Sequence, residues 1–146
     1  MSDYDEYEKK AKEIREMNDG YLDGFKKYLQ GLGLKEKTIK DHLANVDFYI
    51  NNYLLYYDAL EAEQGCYEVD GFLGNWFIRK AMWSTVSSIK SNIASFKKFY
   101  KYFLDLGIIE EDDYDDLCET IKLNKEDWFD TVTRYNDPDE ENPFFY

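Results

Sequence analysis

The sequence predicts an all-α fold, a compact orthogonal bundle of four to six helices, and three observations carry that expectation. Apolar residues recur every three or four positions along almost the whole chain, and no segment sustains the alternation of a half-buried strand. Two prolines and eight glycines in 146 residues leave few places to interrupt a helix. Hydrophobic residues make up 44% of the chain and aromatic residues 18%, which favours one folded domain with a real core over a disordered chain.

The elements follow in order. Ile14, Met17, Tyr21, Phe25, Tyr28 and Leu32 form a helical stripe, interrupted by "MNDGY", where a break or kink is expected near Asn18–Gly20. "GLG" at 31–33 ends that helix. Ile39, Leu43, Val46, Ile50, Tyr53 and Tyr57 form a continuous second stripe. Residues 58–69 read as a loop, and a short helix from about Asp70 to Met82 buries Phe72, Leu73, Trp76 and Phe77. Ser84 or Thr85 caps the next helix, which carries Val86, Ile89, Ile93, Phe96, Tyr100 and Phe103 and stops at Gly107. A shorter helix with Tyr114, Leu117 and Ile121 follows, its opening acids suiting a helix N-terminus. A last helix is capped by Asn124 and turns Trp128, Val132 and Tyr135 inward. The expected organisation is thus a helical extension at 1–19, a helical domain at 20–123, a C-terminal helix at 124–135 and a flexible acidic tail at 136–146.

Charge is segregated. The chain carries 31 Asp and Glu against 18 Lys and Arg, a formal charge of −13, which argues against indiscriminate polyanion binding. Yet "IRKAMWSTVSSIKSNIASFKKFYKYFL" at 78–104 has one Arg, five Lys and no acid, between acidic stretches at 58–77 and 105–121. At about 100° per residue, Lys90, Lys97 and Lys101 fall in one narrow arc of that helix, with Ser87, Ser91, Ala94 and Lys98 beside them. Two readings of this face stay open: a solvated lysine face answering the chain's own acids, or a surface for a phosphate backbone. Small side chains allow a backbone to approach closely, and Lys and Ser reach phosphate oxygens.

Two stretches carry a family pattern. "FKKYLQGLGLKEKTIKDHLANVDFYI" and "SIKSNIASFKKFYKYFLDLGIIEED" resemble the two halves of the core-binding domain of tyrosine recombinases, the phage-integrase class, over about residues 20–123. The resemblance implies a SAM-like core-binding architecture in which two helices cross the DNA major groove and contact backbone. Carried over by position, those contacts are Lys37, Thr38 and Lys40 on one helix, and Ser87, Lys90, Ser91 and Lys97 on the other; Lys101 joins them by the wheel geometry. Lys35 stands where the family has Ser after "GL", and an acidic run replaces its "NP". The family's catalytic domain has no counterpart in these residues, whose one His is His42 and whose arginines are the scattered Arg15, Arg79 and Arg134. A non-catalytic domain is therefore expected, an accessory or remnant of a mobile element.

Other chemistry is thin. His42, beside Ile39 and Leu43, suits packing or capping. No His, Cys or Asp constellation has metal-ligand spacing, the acidic runs lack the pattern of a calcium loop, and no Gly-rich phosphate loop appears, so neither metal nor cofactor is expected. Cys66 and Cys118 read as free thiols of a cytoplasmic protein. The N-terminus is charged and acidic rather than a secretory signal, and no apolar run approaches the roughly 20 residues of a membrane span. Tyr49, Tyr53, Tyr56, Tyr57, Tyr100 and Tyr102 suit core or rim better than a stacking surface for single strands. Two functions compete: binding of double-stranded DNA through the Ser/Lys face, preferred because resemblance and local chemistry coincide, and an acidic protein-interaction module acting on a partner such as a full-length recombinase.

Overall fold

The computed structural model describes residues 2–144, with no strand among them. Its elements are α1 (Asp3–Gly31), α2 (Glu36–Phe48) continued by a wide π-type turn (Tyr49–Tyr53), and a 3₁₀ turn (Ala62–Tyr67). A stepped segment follows, made of α3 (Val69–Gly71), a second wide turn (Phe72–Trp76) and α4 (Phe77–Lys80), and then come α5 (Val86–Asp105) and α6 (Glu111–Asn136). The predicted all-α bundle is what forms.

Helix α5 is the central element. It packs on α2 and on α6 and also meets α1 and the 3₁₀ turn. Phe129 and Tyr114 of α6 lie beside Lys90 and Lys101, so α6 is antiparallel to it, while His42 and Asn45 of α2 reach Ser95 and Ser91. Ile89, Phe96, Phe99, Tyr100 and Phe103 of α5 are buried against Phe25 and Leu29 of α1, Val46, Tyr49 and Ile50 of α2 and its turn, and Leu117, Ile121 and Trp128 of α6. Aromatic pairs run through this core, among them Tyr49–Phe96 and Phe99–Phe103 at 4.4 Å and Phe25–Phe99 at 5.2 Å. Each such pair adds about 0.5–1.5 kcal/mol beyond the area it buries.

The ends of α5 follow the local signals. Thr85 is its N-cap: its hydroxyl accepts from the Ser88 N–H at 3.1 Å, and the Ser88 hydroxyl accepts from the Thr85 N–H at 2.8 Å. Ser84 is instead buried, donating to the Ile78 carbonyl. Gly107 and Gly33, at φ +75° and +76°, turn the chain out of α5 and α1 in the left-handed conformation that glycine adopts without steric cost. The acids Glu111, Asp112 and Asp113 do open α6. Cys66 and Cys118 are both free thiols.

Several expectations are corrected. α1 runs unbroken through Asn18–Gly20, so the boundary placed at 19/20 falls inside a helix. Asn18 is no breaker: it is fully buried, and its amide donates to Asn51 Oδ1 at 2.8 Å and to the Ile50 carbonyl at 3.3 Å. That carbonyl is free because the wide turn sends the Leu54 N–H to Tyr49 instead. α6 is likewise one helix across 123/124. Asn124 caps nothing; its side chain donates to the Thr120 carbonyl one turn back. Leu117, Ile121, Trp128 and Val132 are one buried stripe. The helix expected to run from 70 to 82 ends at Lys80, and the presumed loop at 58–69 contains the 3₁₀ turn. In the tail, Phe144 rests on the Tyr135 ring at 5.8 Å, with the Arg79 guanidinium 6.0 Å from its centre.

Candidate nucleic-acid interface

Between the flanks covered by α2 and α6, α5 leaves one arc open. Ser87, Lys90, Ser91, Ala94, Lys97 and Lys101 are all exposed on it, and Lys98 is half-buried at its edge. The core-facing stripe fixes the rotation of the helix, so the open arc follows from the same residues that build the core.

The lysines are not equivalent. Lys101 pairs with Asp105 one turn on, at 3.5 Å, and its amine lies 6.0 Å from the centre of the Tyr114 ring. Lys90 lies over the Phe129 ring at 5.4 Å, a cation–π contact that keeps its charge. Among the described residues no carboxylate comes within 4.0 Å of the amines of Lys90 or Lys97. No acid of α6 among the described residues pairs with a lysine of this face; the one pairing is that of Lys101 with Asp105, the last residue of α5. Asp113 is turned the other way, where the Tyr67 hydroxyl donates to it; that bond, ahead of one from the Glu110 N–H, holds its carboxyl below the usual range.

Ser91 doubles as a helix–helix contact. Asn45 of α2 donates to the hydroxyls of Ser91 (3.0 Å) and Ser95 (2.9 Å), and His42 Nδ1 lies 2.7 Å from the Ser95 hydroxyl. Ser95 in turn donates to the Ser91 carbonyl. His42 thus has the packing role its sequence position suggests. Burial, and then the Lys98 charge, push its pKa below the ordinary histidine value.

The α2 residues carried over from the resemblance differ in their settings. Lys37 is exposed but paired with Asp41 at 3.4 Å, and Thr38 is half-buried. Lys40 lines a groove of about 360 Å³ between α1 and α2 with Lys26, Gln30, Leu34, Ile39 and Leu43. Sequence reasoning missed Asn45, Phe129 and Tyr114. Asn45 had a signal, standing three residues after His42 and so on the same face; Phe129 and Tyr114 gain their place only from how α6 packs on α5.

Compared with protein-family models, curated proteins and solved structures, the chain matches none.

Proposed function

We propose that this chain is a non-catalytic helical DNA-binding domain, resembling the core-binding domain of tyrosine recombinases, that holds the backbone of double-stranded DNA on the open arc of α5. The observation that carries this reading is that Lys90 and Lys97 stand exposed with Ser87, Ser91 and Ala94 on one arc of α5 that bears no acid before Asp105, and neither amine meets a carboxylate among the described residues. Ser87, Ser91 and Ala94 keep the arc low enough for a phosphate backbone to approach. Ser91 accepts from Asn45 and retains its own proton to donate outward. Lys101 joins by exchanging Asp105 for a phosphate oxygen. Lys37, Thr38 and Lys40 are peripheral to this contact.

A duplex titration by gel shift at low and moderate salt tests it. The chain binds, binding weakens steeply as salt rises, and K90E with K97E abolishes it or lowers the salt slope by about 2. No binding at low salt removes the reading. A second reading has its own observation: Glu111, Asp112, Asp115, Asp116 and Glu119 of α6 are exposed and unpaired with Lys or Arg among the described residues, an anionic face for a basic protein such as a recombinase. On that reading the same charge reversals leave capture of the partner unchanged.

A further inference from the structure

A second surface adjoins the N-terminus of α5. Met82, at the tip of the turn before the Thr85 cap, is fully exposed, and Trp83, Tyr56 and Tyr57 are each more than half exposed. The exposed rings are joined through half-buried Phe48 and buried Trp76. Trp83 lies 5.5 Å from Phe48, Phe48 lies 5.7 Å from Trp76, Trp76 lies 5.4 Å from Tyr56, and Tyr56 lies 4.8 Å from Tyr57. Beneath these rings Trp76 is buried, and its indole N–H finds no acceptor among the described residues. A cation borders the surface: the Lys80 amine lies 5.5 Å from the centre of the Tyr56 ring, while the neighbouring Arg79 is held by Asn75 and faces the Phe144 ring. Neither is within 4.0 Å of a carboxylate among the described residues, and Asp58, next to Tyr57, pairs with neither.

We infer that this surface is a stacking platform for unpaired bases, so that the nucleic acid taken up has a single-stranded segment beside its duplex. Open rings with a cation at their edge suit flat bases threaded along a phosphate backbone. An apolar peptide would need a cleft, and the turn at Met82 projects instead. The platform also continues into the phosphate-binding chemistry of α5, since Ser87 and Lys90 lie within two turns of Thr85. The duplex half of this inference rests on the function proposed above; the stacking half does not.

Fluorescence anisotropy with three labelled oligonucleotides tests it: a blunt duplex, the same duplex with a single-stranded overhang, and the single strand alone. The overhang duplex binds about tenfold tighter than the blunt one, and the single strand quenches tryptophan emission in the unmodified protein but not in Trp83→Ala. Trp83→Ala with Tyr56→Ala removes the preference and spares blunt-duplex affinity. Trp83 also packs on Phe48 and Phe77, so a second variant, Met82→Glu with Tyr57→Ser, changes only exposed groups and produces the same loss. Equal affinity for overhang and blunt duplexes in the unmodified protein overturns the inference, as does a preference that survives both variants. So does quenching by anionic phospholipid vesicles in place of oligonucleotides, or a dimer that either variant dissociates. Binding of the single strand without any duplex binding overturns the duplex reading and supports the platform.

Discussion

Tyr49 and Tyr100 both press their rings on the turn at Gly65, and their hydroxyls donate to the carbonyls of Gly65 and Ala62 at 2.6 and 2.7 Å. A Cβ on residue 65 would meet the Tyr100 hydroxyl and, at 2.9 Å, both Leu54 Cδ1 and Tyr49 Cε2. Both tyrosines are fully buried and cannot swing away without opening the core. Gly65→Ala is therefore expected to cost about 1–3 kcal/mol, the usual range for overpacking, seen as a lower midpoint in urea with an unchanged slope. Wild-type stability in this variant would show that the turn yields. At this scale the sequence misleads wherever a polar residue is buried for a partner distant in the chain. Asn18 looks like a breaker and Asn124 like a cap because asparagine ordinarily plays those parts. Nothing local to Asn18 announces the Ile50 carbonyl 32 residues away.

The wide turn at Tyr49–Tyr53 shows how one element depends on another. It rotates the end of α2 so that Tyr49 and Ile50 enter the core, and it leaves the Ile50 carbonyl without its helical partner. Asn18 of α1 supplies that partner and also binds Asn51, fastening the middle of α1 to the turn that ends α2. Asn18→Ala strands a buried carbonyl and leaves a small void, so unfolding free energy should fall by about 1–3 kcal/mol. Hydrogen exchange should then speed up most in residues 50–55. Uniform acceleration over the whole chain would instead mean that Asn18 serves general packing. The number and type of helices were legible because their stripes are long and strongly periodic, as in α2 and α5. The joins were less so. "MNDGY" and "KLNKED" carry residues that end helices elsewhere, and only tertiary packing decides that they do not end α1 and α6. The open arc of α5 was legible for the same reason as its core stripe. The aromatic platform was not, because Trp83, Phe48, Trp76 and Tyr56 come from separate segments. The tyrosine set read from sequence is divided by the fold, with Tyr49 and Tyr100 buried and Tyr56 and Tyr57 left outside.

Over the whole molecule, segregated charge links stability to pH. Two buried or half-buried groups have opposite tendencies. His42 has its pKa depressed by burial and by Lys98, so the stability it contributes is present above the unfolded value of about 6.5 and is lost as pH falls through its folded pKa. Glu63 behaves in the reverse way. A hydrogen bond with Glu61, aided by burial and by the Glu61 charge, raises its pKa to about 7. Its contribution is therefore fully present below the ordinary carboxylate value of about 4.3 and is lost as pH rises through about 7. Glu61 also caps the 3₁₀ turn that Tyr49 and Tyr100 lean on, so the pair sits where loss of a shared proton is felt by the core. Glu63→Gln keeps a neutral donor beside Glu61 at every pH. The melting temperatures of this variant and the unmodified protein should nearly coincide at pH 4, separate in favour of the variant as pH rises towards 7, and run parallel above pH 8. Parallel curves from pH 4 onward would show that Glu61 and Glu63 share no proton. Both proteins keep His42, so its titration lowers the two curves together as pH falls and adds nothing to their separation.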